Sequence, residues 1–290
     1  MTALPRVSPL PRVSVITTSF NQARYLERNL ASVAGQKGVD VEHLLLDGGS
    51  TDDTLDVIAR KGGHLAWWRS APDAGQTAAL IEGFERASGQ VLCWLNSDDY
   101  FWDDQALATV ARTFAANPDA AMVSGDTVLV DQDERPVMID MPWRPSARQM
   151  RHVMAVPQQS TFWRAEAYRA VGGIDPAFGY CMDFDLFQRM SQGRAMLAVP
   201  RVLAAFRLQP QSKTATWGQV FRREMHLLQH RHGSGPGWEL ALKAVGMEVR
   251  LGSALAQVTA LLRGRALPSL CNARWEPCRA YARRFRNVSF

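Results

Sequence analysis

Val91-Leu92-Cys93-Trp94-Leu95-Asn96-Ser97-Asp98-Asp99-Tyr100 is the stretch on which the reading of the chain turns. Five apolar residues run unbroken into a polar cluster that ends in two carboxylates. A short continuous apolar run is the pattern of a strand buried on both faces of a parallel sheet. Open α/β sheets take their ligands at the carboxyl ends of the strands. Asn96, Asp98 and Asp99 are therefore expected on a rim, facing a bound molecule. Paired oxygen ligands at a strand end suit Mg²⁺ or Mn²⁺ carrying substrate phosphates. The same two acids equally suit the start of the next helix, a role Asp103 or Asp104 fills as well.

Upstream, the same unit occurs three more times. Residues 13–18 read as a strand ending at Ser19-Phe20-Asn21-Gln22, before a helix over about 25–33. A second strand, about 43–46, ends at Asp47-Gly48-Gly49-Ser50-Thr51-Asp52-Asp53-Thr54. Ser50 with Asp53 three residues on resembles a capping box for a helix to about Lys61. That assigns Asp52 and Asp53 to the helix start and leaves Asp47 facing a ligand. A third strand, about 65–69, leads through Pro72-Asp73-Ala74-Gly75-Gln76 into a helix to about Ala87. Alternating strands and helices predict a mainly parallel sheet covered by helices. One rim of it then collects Thr17, Thr18, Asp47, Asp73, Asn96, Asp98 and Asp99. No GxxxxGK[ST] or GxGxxG loop lies there, which argues against a kinase or dehydrogenase. A nucleotidyltransferase would want a basic, glycine-rich loop after the first strand, and residues 19–22 offer none.

The second half reads as a helix over 104–116, a strand at 121–125, and a hairpin of 128–130 with 136–139. Helical segments follow Pro142 and end at Gly172-Gly173. Phe184, Phe187 and Met190 then share one face of an amphipathic helix that opens at Met182-Asp183-Phe184-Asp185. Asp183 and Asp185 in its first turns suit the helix dipole; a general base aimed into the cleft is the functional alternative. A strand over about 196–206 closes this half. Past residue 216 the chain reads as helical and basic, with Arg274, Arg279, Arg283, Arg284 and Arg286 among Trp275, Tyr281 and Phe285. Packing of those aromatics on the domain is the first expectation and peripheral contact with anionic lipid the second; nucleic acid is not expected.

The 290 residues bound this to one large domain or a domain with an appendage, and 47% hydrophobic content supplies an ordinary core. A net charge of +5 suits an anionic substrate or a membrane surface. Cys93, Cys181, Cys271 and Cys278 show neither metal-ligand spacing nor a disulfide framework, which points to the cytoplasm. No secretory leader and no membrane-spanning run is read.

Six of these motifs, in order over roughly residues 12–214, together resemble family 2 glycosyltransferases. They are Val13 to Asn21, Asp47-Gly48-Gly49-Ser50-Thr51-Asp52, Pro72-Asp73-Ala74-Gly75-Gln76, Trp94-Leu95-Asn96-Ser97-Asp98-Asp99, Val171-Gly172-Gly173-Ile174-Asp175 and Met182-Asp183-Phe184-Asp185-Leu186. The resemblance implies a GT-A, Rossmann-like α/β fold with a mixed, mainly parallel sheet, flanking helices and a C-terminal helical extension. Residues 1–215 would form the transferase domain, with a nucleotide-sugar half at 12–100 and an acceptor half at 101–215; 216–290 would form the extension. It implies inverting transfer from a nucleoside-diphosphate sugar (UDP-, GDP- or dTDP-linked) to a saccharide or lipid-linked acceptor, in bacterial surface polysaccharide or glycolipid assembly. The place of action would be the cytoplasm or the inner face of the membrane, and a homodimer is compatible.

The resemblance also implies roles. Thr18, Asp47, Asp73, Gln76 and Asn96 would bind the donor, with Arg207 and Lys213 as cations for its diphosphate. Asp98 would hold Mg²⁺ or Mn²⁺, with Asp99 and Gln209 as further metal positions. Asp183 would be the general base, with Asp185 as second choice. Asn96 stands where many members carry an aspartate, and Gln209 where many carry a histidine. Ala78-Ala79-Leu80-Ile81-Glu82-Gly83 lacks the aspartate, asparagine and lysine of the family's run. That loss motivates the alternative of a non-catalytic nucleotide-sugar-binding or scaffold protein of the same fold.

Overall fold

The strand at the centre is buried on both faces, as its apolar run requires. Leu92 and Trp94 join one core, while Val91, Cys93 and Leu95 join the other. The structure, a computed structural model, describes residues 10–140, 142, 145–210, 212–213 and 218–232. The leader, most of the basic extension with its arginines and aromatics, Cys271 and Cys278 lie outside the described residues.

The first half is a run of right-for-parallel units: β1 (Val13–Ser19), α1 (Ala23–Ala34), β2 (Val41–Asp47), α2 (Thr54–Lys61), β3 (Trp67–Ser70), α3 (Gln76–Arg86) and β4 (Val91–Trp94). β1 pairs in parallel with both β2 and β4, and β2 with β3. The second half adds β5 (Tyr100–Phe101), α4 (Ala106–Ala116), β6 (Ala120–Val130), β7 (Pro136–Asp140), α5 (Ala147–Met150), β8 (Thr161–Arg164), α6 (Ala165–Ala170), α7 (Met182–Ser191), β9 (Ala195–Arg207) and α8 (Gln219–His232). The sheet order is β3-β2-β1-β4-β8-β6-β9-β5, with β7 paired to β6. β8 is antiparallel to both β4 and β6, so β4 forms the seam between the parallel half and the mixed half.

Three differences from the sequence reading have local causes. β8 and the two-residue β5 escape periodicity because neither is long enough to show one. The strands expected at 121–125 and 128–130 are one strand, β6. Gly125 does not end it; a Cβ there would lie 2.4 Å from Leu203 Cδ1, so the glycine lets β9 cross close by. The capping box at Ser50 is not formed. Ser50 Oγ bonds Asp47 instead, and Asp52 accepts from the Thr54 amide at the helix start.

α8, read as the first helix of the basic extension, docks on the domain: Leu228 joins the same core as Trp94 and Phe187. Among the described residues no helix is long and apolar enough to cross a membrane.

α3 lies close on the sheet because Gly83 has no side chain. A Cβ at this position would sit 2.7 Å from Ile16 Cγ2 and 2.9 Å from Leu46 Cδ1, both inside β-strands. Gly83→Val is expected to destabilise the fold by about 1–3 kcal/mol through overpacking, read as a lower urea midpoint with unchanged slope.

Candidate functional site

A cavity of about 670 Å³ opens at the carboxyl ends of β1, β2 and β4 and at the start of α3. That volume is in the range of small-molecule sites. Thr18, Asp73, Gln76, Asn96 and Asp98 line it from the parallel half; Gln209 and Lys213 line it from the segment after β9. These seven were all anticipated from sequence. Phe20, 60% exposed at the mouth, also lines it and was read only as part of a polar turn.

The floor is a chain of amides. Gln76 Nε2 donates to Asn96 Oδ1 at 2.8 Å and approaches Thr18 Oγ1 at 3.5 Å. Asp73 Oδ1 accepts from the Gly75 amide at 2.8 Å, bracing the turn into α3, where Gly75 has φ +98°. Glu82, at the family's lysine position, faces Arg69 at 2.8 Å and Arg86 at 3.2 Å, so its charge is matched away from the cavity.

Strand alternation separates the two threonines of β1. Thr17 turns to the opposite side, fully buried, where it bonds Asn29 and His43. It is not on the rim. Burial, with His64 adjacent, depresses the His43 pKa to about 3, so this imidazole is neutral.

Asp47 is likewise not the ligand-facing acid that its strand-end position suggested. It is fully buried, and its carboxylate accepts from the amides of Gly49 and Ser50 and the hydroxyls of Ser50 and Ser70. Three of these four donors fall on Oδ2 and one on Oδ1, so in this structure Asp47 holds the turn and does not line the cavity.

The two adjacent acids divide the work. Asp98 lines the cavity, and its Oδ2 accepts from Gln209 Nε2 at 2.9 Å. Asp99 is buried behind it; Oδ1 accepts from the Arg207 amide at 3.0 Å, and Oδ2 faces Asn96. Burial, then the charge of Asp98, pushes the Asp99 carboxyl well above the usual carboxylate range. Its reading as a metal ligand is corrected to that of a brace between the loop and β9.

Arg207 is corrected too. Its guanidinium is 2% exposed and donates to the carbonyls of Asp98 and Gln132 and to Glu134 Oε1. It lies over the rings of Tyr25 and Tyr100 at 4.8 and 5.7 Å. The cation is committed to protein groups and does not reach the cavity wall.

For a cation, the oxygens on offer are the Asp98 carboxylate and Gln209 Oε1, a buried acceptor with no hydrogen-bond partner among the described residues. Among the described residues no three His, Cys, Asp or Glu side chains cluster as a metal cage. One carboxylate with amide oxygens is the donor set of a Mg²⁺- or Mn²⁺-type ion completed by water and substrate phosphates. The residues fit such an ion.

Asp183 is not among the residues that line the cavity; it lies in the first turn of α7, within reach of the charge of Lys213. Its Oδ1 accepts from the Phe184 amide at 2.8 Å. Burial raises its pKa to about 6, with Glu224 adding to the rise while the Phe184 amide and Lys213 oppose it. Lys213 Nζ donates to Gly179 O at 2.8 Å, and burial lowers its pKa. Asp185 faces the other way. It is fully buried and held by Arg189 Nε at 2.8 Å and Arg231 Nη1 at 3.4 Å. The second-choice base is therefore a structural ion-pair centre.

The residue sequence reasoning missed is Asn29, buried in α1, whose Nδ2 donates to the carbonyls of Asn96 and Asp99 at 2.9 and 3.0 Å. Its signal is an asparagine on a helix face that also carries Tyr25, Leu26, Leu30 and Val33, with Ser32 beside it.

Residues 14–183 match the family model described as Glycosyl transferase family 2. An uncharacterized glycosyltransferase of Mycobacterium tuberculosis is 30% identical over 201 residues, spanning 68% of this chain and 75% of that protein. The hyaluronan synthase of Pasteurella multocida is 26% identical over 188 residues, 64% of this chain and 19% of the synthase. Among solved structures, TarS residues 1–349 of S. aureus with UDP-GlcNAc superposes with a TM-score of 0.63 at 14% identity, covering 80% of this chain and 70% of that one. The mannosyltransferase PcManGT of Pyrobaculum calidifontis, with GDP-Man and Mn²⁺, gives 0.62 at 20% identity, covering 97% and 86%. The chain belongs to glycosyl transferase family 2 and carries the GT-A fold of those structures.

Proposed function

We propose that the chain moves a sugar, with inversion, from a nucleoside-diphosphate sugar to an acceptor hydroxyl. The observation that carries the reading is the division of the acid pair. Asp98 alone of the two enters the cavity, beside the unpartnered Gln209 Oε1. Asp98 and Gln209 would hold Mg²⁺ or Mn²⁺, with the Asn96 amide beside them. An ion bound there supplies positive charge to the departing diphosphate. Lys213, lining the same end, adds a second positive charge.

Thr18, Asp73 and Gln76 would bind the nucleoside and its ribose, being the polar side chains on the parallel-half wall. Asp183 takes the proton from the acceptor hydroxyl as its oxygen attacks the anomeric carbon opposite the diphosphate. A carboxyl with a pKa of about 6 is ionised at neutral pH yet basic enough to accept that proton. Relatives support the class of product: curated ones include hyaluronan and chondroitin synthases and a PGL/p-HBAD biosynthesis glycosyltransferase. Two structural neighbours hold UDP-GlcNAc and GDP-Man, so a UDP or GDP donor heads the list. A saccharide or lipid-linked acceptor fits the same reading.

With Mn²⁺ and one of UDP, GDP or dTDP at roughly 100 times its Kd, the melting temperature is expected to rise by about 5–10 °C. Asp98→Ala removes the metal-dependent part of that rise; a full rise in the variant, or none in the wild type with any nucleotide, refutes the site. Asp183→Asn is expected to lower kcat by roughly 10²- to 10⁴-fold with the donor KM retained. The wild-type rate should fall as pH drops through about 6, because protonation removes the base. Asp47→Ala should instead cost about 3 kcal/mol of stability by stranding buried donors, whereas Asp98→Ala should leave stability nearly unchanged; denaturant melts separate the two.

A further inference from the structure

α7 begins without a side chain of its own to cap it: Cys181 occupies the N-cap and makes no side-chain cap bond. The cap arrives from another helix. Glu224, 5% exposed on α8, places its carboxylate against three successive amides, those of Gly179, Tyr180 and Cys181, at 2.8, 2.7 and 2.8 Å. Lys213 Nζ also holds the carbonyl of Gly179 at 2.8 Å and stands 5.4 Å from the Tyr180 ring centre. The loop 179–181 is thus held by both a cation of the donor cavity and an anion of α8. Two residues beyond it sits Asp183.

The rest of α8 fastens the same region. Leu228 is buried in the core shared with Phe178 and Phe184. Arg231 pairs with Asp175 at 2.5 Å and Asp185 at 3.4 Å. α8 lies wholly outside the family-matching segment 14–183, so this grip is an addition to the part of the chain that the family model describes.

We infer that Glu224 is a positioning residue for the transfer: it sets the start of α7, and hence the Asp183 carboxylate, and makes α8 part of the working site. The inference rests on Asp183 being the base. Charge-assisted bonds to three consecutive amides fix both the direction and the depth of a loop. Losing such a support allows an ångström-scale shift of the base, which costs on the order of 10²-fold in rate. The donor cavity does not include Glu224, so donor binding should survive. The charge has an effect of its own. Among the described residues, the charged groups facing Asp183 are Lys213 and Glu224, with the Cys181 thiol beside them; within α7, Asp185 is tied to Arg189. Glu224 repels the ionised base, so its neutralisation should make Asp183 more acidic.

The test compares wild type, Glu224→Ala, Glu224→Gln and Asp183→Asn in the full chain. Four readouts are taken: hydrogen exchange over residues 178–186, calorimetric binding of UDP and GDP with Mn²⁺, nucleoside diphosphate release from UDP- and GDP-sugars, and its pH profile. Glu224→Ala should speed exchange in that peptide, leave nucleotide affinity within about twofold, and lower kcat on the order of 10²-fold. Glu224→Gln keeps the length and one acceptor oxygen. It should recover part of the rate, with the acid limb of the profile moved to lower pH. Unchanged exchange in both Glu224 variants overturns the clamp, as does unchanged kcat in both while Asp183→Asn is inactive; in either case the base assignment stands. Parallel loss of nucleotide binding and rate marks a merely structural role and overturns it as well. An active Asp183→Asn overturns the base assignment itself.

Discussion

Everything at this site depends on how one loop leaves a strand that is buried on both faces. β4 ends among buried residues, and residues 96–99 must turn there with Leu95, Ser97 and Asp99 shielded from solvent. Asn29 resolves the problem with a single side chain, giving its two amide hydrogens to the carbonyls of Asn96 and Asp99. Arg207 takes the carbonyl of Asp98, and Asp99 takes the amide of Arg207. The loop is therefore tied to α1 on one side and β9 on the other. Buried polar groups left unpaired are costly, so this set of bonds admits one arrangement: Asp99 inward and Asp98 outward.

The seam position of β4 follows the same logic. Parallel strands on one side bring the polar ends of β1, β2 and β4 to one rim. The antiparallel β8 on the other side continues the same sheet through β6 to β9, and the segment after β9 returns to that rim. Gln209 and Lys213 come from more than a hundred residues beyond Asp98 in the chain, yet Gln209 meets it at 2.9 Å. The sheet order thus brings side chains of the first half and of the segment after β9 to one cavity.

Charge is handled by burial and by partners, not by number. Arg207, Asp185 and Asp47 are charged side chains at motif positions, and each is fully engaged by protein groups. Asp98 accepts from Gln209 and Lys213 donates to the Gly179 carbonyl, and both also line the cavity. The pair of Arg231 with Asp185 and the amide bonds of Glu224 also fasten α8 to α7 and its start, so a helix outside the family-matching region shares the electrostatics of Asp183.

The parallel half, its strand ends, and the rim carrying Thr18, Asp73, Gln76, Asn96 and Asp98 were legible in the sequence. Apolar runs, turn residues and their order are local properties, and a strand's exit marks a rim wherever the strand sits in the sheet. β5 and β8 were not legible, because two and four residues carry no period and are strands only by virtue of their partners. Neither was the fate of individual charges. Asp47 and Asp98 both follow a strand, Asp98 and Asp99 are adjacent, and Asp183 and Asp185 are two apart. Local sequence presents the members of each set as equals, and only the family resemblance ranks Asp98 before Asp99 and Asp183 before Asp185. Which of them is sealed by four donors, which braces β9 and which enters the cavity is decided by neighbours distant in the chain, because a carboxylate's role is set by the donors that reach it.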